Sequence, residues 1–250
     1  MTRLAIIGGS GFTQLENFQI ISDNVVTTPF GAPSASIVHG TIGNQEVVFL
    51  ARHGVNHSVP PHQINYRANI WALHHLGAQR IISIATVGGI HPDMPPQTLV
   101  IPDQIVDYTH SRQHTFFEQE YGKVTHVDFS YPYCEMLRQG LMQAAAVIGE
   151  TIACGGTYGA TQGPRLETAG EIRRMELDGC DVVGMTGMPE AALARELEMC
   201  YACCALVVNW AAGKSDGIVE MAEIEQHLRL GMNRIRRLLQ FFIAHSTLDQ

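Results

Sequence analysis

The chain has 250 residues, 46 % of them hydrophobic and 16 % charged, enough apolar material for one large buried core. A formal net charge of −8 with no basic stripe to offset it excludes a general nucleic-acid or membrane-surface binder. Six cysteines without framework spacing, no apolar run of membrane-spanning length and an opening run too short for a signal peptide together predict a cytoplasmic protein with free thiols.

The first strand is Leu4-Ala5-Ile6-Ile7, which runs into Gly8-Gly9-Ser10-Gly11. Glycines let a backbone approach a ligand closely, and Ser10 adds a hydroxyl. The spacing is neither G-x-G-x-x-G nor a Walker loop, so a small-anion site fits better than a dinucleotide site. Residues 20–50 alternate apolar and polar around turns at Pro29-Phe30-Gly31 and Gly43-Asn44, as β-hairpins do. The strand over 47–51 then delivers Arg52-His53-Gly54 at its C-terminal end, where ligands bind in α/β sheets. Arg plus His there can clamp an oxyanion or make a salt bridge and a cap.

A polar loop over 57–66 leads into a helix over 67–76, closed by Gly77. Residues 80–86 form a strand ending in Ala85-Thr86, with Val87-Gly88-Gly89 as its turn, and 99–105 a short strand. Residues 110–126 are polar, aromatic and histidine-rich without a clean period, the signature of a long excursion. The spacing of His91, His110, His114 and His126 matches no metal motif, so no metal is expected.

A helix is expected over 133–148, a strand over 156–161 leading to Gln162-Gly163-Pro164-Arg165-Leu166-Glu167-Thr168, and a helix over 169–177. Asp181-Val182-Val183-Gly184-Met185 is a buried strand that ends at Thr186-Gly187 and opens a helix with Pro189-Glu190. Such a turn presents backbone N–H groups and a hydroxyl to an anion. Cys200, Cys203 and Cys204 sit among core-type residues and read as buried free thiols. Residues 205–208 form the last core strand, ending in Asn209-Trp210-Ala211, and 220–243 give one or two helices. With no repeat or composition break, residues 1–250 read as a single α/β domain.

Several strand ends thus carry Ser10, Arg52-His53, Thr86 and Thr186: hydroxyls, one guanidinium and loop amides, sufficient to hold one inorganic phosphate without metal. Glu167 and Asn209 form a natural polar pair for a heterocycle, since a carboxylate accepts a ring N–H while a carboxamide both donates and accepts. Met185, Leu166 and Tyr108 or Phe116 offer the apolar walls a nucleoside needs.

On these motifs the chain resembles the trimeric purine nucleoside and methylthioadenosine phosphorylases. The carriers are Gly8-Gly9-Ser10-Gly11, Ala51-Arg52-His53-Gly54, the run from Asn65-Tyr66-Arg67 to Trp71-Ala72-Leu73, Gly163-Pro164-Arg165 with Glu167, and Met185-Thr186 with Pro189-Glu190. The resemblance implies an α/β sandwich around a mixed, partly barrel-like sheet flanked by helices, and reversible phosphorolysis of a purine nucleoside. It implies no cofactor, inorganic phosphate as co-substrate, and a homotrimer. By position, Ser10, Arg52, His53, Ala85-Thr86 and Thr186 resemble the phosphate site, Met185 the residue under the ribose, and Leu166 the purine stacker. His126 resembles the histidine that reaches the neighbouring subunit's active site.

Within that family, Glu167 with Asn209 is similar to the 6-oxopurine readers and would act catalytically on the leaving base. Adenine readers carry Asp-x-Asp where this chain has Asn209-Trp210-Ala211. The histidine that holds a 5′-hydroxyl is missing; Met221 and Ala222 stand near its place and suit an apolar 5′-methylthio group. The expected substrate therefore joins a 6-oxopurine to a methylthio sugar. A methylthioadenosine phosphorylase, a broad inosine and guanosine phosphorylase and a non-catalytic purine sensor are the alternatives.

Overall fold

The computed structural model describes residues 3–9, 18–118 and 124–245. Ser10, expected in the phosphate site, lies outside the described residues. The elements run β1 (Arg3–Gly8), β2 (Phe18–Asn24), β3 (Ile37–Ile42), β4 (Gln45–Ala51), α1 (Tyr66–His75), β5 (Ala78–Gly89), β6 (Leu99–Val100) and β7 (Gln104–Asp107). They continue with α2 (Glu135–Val147), β8 (Ile152–Ala153), β9 (Thr157–Ala160), α3 (Ala169–Leu177), β10 (Val182–Gly184), α4 (Glu190–Glu196), β11 (Cys200–Trp210) and α5 (Met221–His245).

Strand periodicity explains the layers. Side chains alternate across a sheet, so β1 sends Ala5 and Ile7 to one face and Leu4 and Ile6 to the other. The first set packs with Ile70 and Leu73 of α1 and Leu193 of α4; the second packs with Leu137 and Leu141 of α2 and Leu239 and Phe242 of α5. Continuous apolar runs such as those of β1 and β11 are what a sheet covered on both faces requires. Each fully buried Ile or Leu contributes about 1.5–3 kcal/mol.

The path β2-β3-β4-β1-β5-β10-β9-β7 forms the main run of the sheet. β5 is its hub. It pairs in parallel with β1 through Arg80–Ser83 and with β11 along most of its length, and its last two residues pair antiparallel with β10. The sheet therefore branches at β5, with β6 and β8 continuing beyond β11, and this branching is the form the mixed central sheet takes.

Three expectations are corrected, and the choice between one and two C-terminal helices is resolved. The strand over 80–86 does not end at Thr86 but runs on through Val87-Gly88-Gly89, because β11 and β10 pair with those residues. Gly89 is required by packing, since a Cβ there would lie 1.9 Å from the Met94 carbonyl oxygen. The stretch 99–105 divides into β6 and β7 around Pro102-Asp103, each with different neighbours. The C-terminal helix is one continuous α5. Cys200 is not a free thiol: it is bonded to Cys134, the N-cap of α2, with the two Cα atoms 5.2 Å apart. The hydrogen bond from Cys134 N to Tyr201 O at 2.7 Å lies beside this bridge, which joins segments 66 residues apart. Cys203 and Cys204 are free and buried, as expected. No helix among the described residues is long and apolar enough to cross a membrane.

Candidate active site

Three of the segments expected to bind phosphate converge on one buried ion pair. Arg52 follows β4, and its backbone N donates to Gly8 O at 3.0 Å, which fixes it beside the end of β1. The guanidinium then reaches β5, donating from Nη1 to Ile84 O at 2.9 Å and from Nη2 to Ser83 Oγ at 2.6 Å. It also grips Glu190, the first residue of α4, through Nε to Oε1 at 2.7 Å and Nη2 to Oε2 at 2.8 Å. Ser83 Oγ at 3.0 Å and Tyr201 Oη at 2.8 Å donate to the same Oε2. Burial would lower the Arg52 pKa, but the facing carboxylate of Glu190 outweighs it and the net shift is upward. Four of the five guanidinium N–H groups are thus committed within the protein. Arg52 is first of all the pin that gathers the ends of β1 and β4, the middle of β5 and the start of α4, with one Nη1 hydrogen that has no partner among the described residues.

Around that pin lie the other expected ligands. Thr86 is exposed between the buried Ala85 and Val87, so a central strand presents one hydroxyl to an open face. Thr186 is buried just after β10, and its backbone N donates to Tyr158 Oη at 3.4 Å. His53 places Nδ1 2.9 Å from Val59 O. Burial pushes its pKa down to about 4, the Val59 bond opposing and the Arg52 charge assisting. Nδ1 therefore holds the proton and donates to Val59, and Nε2 keeps its lone pair.

The base-side residues surround the end of β10. Thr161 Oγ1 donates to Glu167 Oε1 at 2.6 Å, and Thr161 N donates to Gly184 O at 2.8 Å. Gly163 has φ +60°, and a Cβ there would lie 2.5 Å from Met185 Sδ, so only glycine lets this loop close on Met185. The loop's far end is anchored by a capping box between Thr168 and Glu171 and by the Arg165–Glu171 ion pair at 2.7 Å. Leu166 is 44 % exposed beside it, available for stacking. On the other side of β10, a Cβ on Gly88 would lie 3.4 Å from Asn209 Nδ2, 3.4 Å from Ala211 Cα and 3.3 Å from Val183 Cγ1. Asn209 Nδ2 donates to Trp210 O at 2.7 Å, and Ala211 is buried.

A bulge in β11 aims Asn209. Its pairing with β5 shifts register between Val207 and Asn209. The released carbonyl of Val208 accepts from His227 Nδ1 of α5 at 2.7 Å. Bulges beside sites that re-aim one side chain are a recurrent device.

Not every expected residue is drawn in. Met221 is 62 % exposed at the start of α5, and Ala222 is exposed beside it. His126 is exposed in an irregular segment. Among the described residues no group of three or more His, Cys, Asp or Glu side chains could hold a metal.

Residues 3–244 match the family described as the phosphorylase superfamily. The chain belongs to that family. This phosphorylase is 58 % identical over 246 residues to the probable S-methyl-5′-thioinosine phosphorylase of Pseudomonas syringae pv. tomato, covering 98 % of this chain and 100 % of that one. It is 48 % identical over 246 residues to the 6-oxopurine nucleoside phosphorylase of Pyrococcus furiosus, covering 96 % and 91 % of the two chains. The methylthioadenosine phosphorylase of Schistosoma mansoni in complex with adenine superposes with a TM-score of 0.93 at 32 % identity, covering 100 % of this chain and 93 % of that one. The candidate site also holds residues not singled out from the sequence: Ser83, Tyr201, Thr161 and His227. In the sequence Glu190 stands out as a helix-opening acid and as part of the Pro189-Glu190 motif, and neither feature signals its buried pairing with Arg52.

Proposed function

We propose that the chain catalyses reversible phosphorolysis of S-methyl-5′-thioinosine, giving hypoxanthine and 5-methylthioribose 1-phosphate. The observation that carries the base assignment is the bond from Thr161 Oγ1 to Glu167 Oε1. It fixes the carboxylate and leaves Oε2 to accept the N1–H of hypoxanthine, a proton that adenine lacks. Asn209, aimed by the β11 bulge, donates to O6 and supports the proton arriving at N7. Loss of one such buried bond costs about 1–3 kcal/mol, a tenfold or larger shift in base choice.

Inorganic phosphate is the co-substrate, and Ser10, the spare Arg52 N–H, Thr86, Thr186 and the Ala85 backbone would hold it under C1′. His53 Nε2, unprotonated, would accept from a protonated phosphate oxygen. As the glycosidic bond lengthens the ribosyl becomes cation-like, and the phosphate below stabilises it electrostatically. Glu167 and Asn209 stabilise the charge growing on the purine. Positioning and electrostatics supply the rate, and the chemistry calls for no cofactor or covalent intermediate. Met185 would lie under the ribose and Leu166 against the purine.

Relatives named for S-methyl-5′-thioinosine and for 6-oxopurine nucleosides support the base reading, and the solved methylthioadenosine phosphorylase supports a methylthio sugar. Met221 and Ala222, exposed in the single chain, would form the apolar side of a 5′ pocket that a neighbouring subunit of a cytoplasmic homotrimer completes through its own His126. The test is the double substitution Asn209→Asp with Ala211→Asp. The ratio of methylthioinosine to methylthioadenosine turnover should fall at least tenfold; an unchanged ratio contradicts the base assignment.

A further inference from the structure

Arg112 stands in the irregular excursion between β7 and α2 and is buried. Among the described residues no carboxylate lies within ion-pair distance of it, which is rare for a buried arginine. Its guanidinium is instead wholly used on neutral acceptors. Nη1 lies 2.9 Å from Met185 O, 2.5 Å from Met188 O and 3.1 Å from Tyr66 Oη. Nη2 donates to Thr161 O at 3.0 Å and Gln162 O at 2.8 Å, while Nε donates to Gln162 Oε1 at 3.1 Å. Tyr66 Oη in turn donates to Pro61 O at 3.0 Å, so its lone pair is free to accept from Arg112.

The division of these bonds is the informative feature. Nη1 takes the carbonyls on either side of Thr186-Gly187, the loop after β10 expected to carry ribose and phosphate contacts. Nη2 and Nε take the residues immediately before Gly163–Glu167, the loop after β9 expected to read the base. One rigid planar group thus spans two loops that hold opposite ends of the bond to be broken.

We propose that Arg112 is a positioning residue that sets the spacing between the base-reading loop and the sugar-phosphate loop. The inference rests on the phosphorolysis reading and adds a determinant of its rate. A lysine cannot replace it, because its three donors radiate from one point whereas the guanidinium fork presents five in a plane. Without the fork each loop still binds its own part of the substrate, but the reacting atoms are no longer held together. A misplacement of about 1 Å costs on the order of 100-fold in rate.

The experiment compares the full-length wild type with Arg112→Lys and Arg112→Ala. It measures phosphorolysis per folded molecule, KM for nucleoside and for phosphate, and thermal unfolding. Arg112→Lys should lower kcat about 100-fold while each KM moves less than about threefold. Arg112→Ala should regain activity with added guanidinium at non-denaturing concentration and not with ammonium. A merely structural role would lower the folded fraction and leave kcat per folded molecule at the wild-type value; that result, or absence of rescue by guanidinium, overturns the proposal. A wild type that releases base from no purine nucleoside refutes the phosphorolysis reading instead, so the two failures are distinct.

Discussion

The Arg52 guanidinium and the Glu190 carboxylate face each other fork to fork across 138 residues of chain, at 2.7 Å and 2.8 Å, with both side chains buried. A buried pair of this kind adds little over an apolar pair of equal volume, but removing one partner strands the other's charge. Glu190→Ala should therefore cost about 3–5 kcal/mol of stability, read by urea unfolding. Glu190→Gln, which keeps an acceptor for Ser83 and Tyr201, should cost less. An alanine variant as stable as wild type would show that the pair does not pin the strand ends.

Protonation of His53 opposes the fold. Its folded pKa, about 4, lies below the ordinary value of 6.5, so the unfolded chain takes up the proton first as pH falls. The sign follows: its contribution is fully present above pH 6.5, declines through the window from 6.5 to 4, and is gone below 4. His53→Asn, whose amide can still donate to Val59 O, should flatten the acid limb of the stability profile in that window. An identical pH profile in wild type and variant would contradict the assignment.

Much of this architecture was legible locally. Alternating faces in residues 20–50, the apolar runs of β1 and β4, the glycine closing α1 and the Pro-Glu opening of α4 each declare themselves within a few residues. What escaped is long-range. Nothing near Glu190 signals a partner at Arg52, and nothing near Arg112 signals carbonyls 49 to 76 residues away. Gly88 and Gly89 read as a turn because glycine permits turns; here it permits close packing inside a strand, which only the neighbours reveal. Cys134 and Cys200 lacked any spacing signature for the same reason. The ligand-type residues were visible because strand ends are where an α/β sheet exposes polar groups, whereas the residues that hold them in place are dispersed.

Thr161 supports the base reader from outside the contact with base. Thr161→Val keeps the shape and removes the donor to Glu167 Oε1. Catalytic efficiency with 6-oxopurine nucleosides should fall about tenfold, the cost of one lost bond to a charged group, while KM for phosphate stays near wild type. An equal loss with adenine nucleosides would mean that Glu167 does not read N1–H.

His126 is exposed in the single chain, and its proposed role needs a second subunit. If the proposed homotrimer forms, dilution that dissociates it, followed by light scattering, should abolish turnover in step with dissociation. His126→Ala should raise KM for nucleoside in the proposed homotrimer. A fully active monomer would refute the shared site.

The most direct measurement is phosphate-dependent release of free base from methylthioinosine, methylthioadenosine and inosine, side by side under the same conditions. Methylthioinosine should be strongly preferred, with Glu167 and Asn209 choosing the base and Met221 and Ala222 favouring the methylthio end. Preference for inosine would overturn the 5′-pocket assignment, and preference for methylthioadenosine would contradict the central claim that Glu167 and Asn209 read a 6-oxopurine.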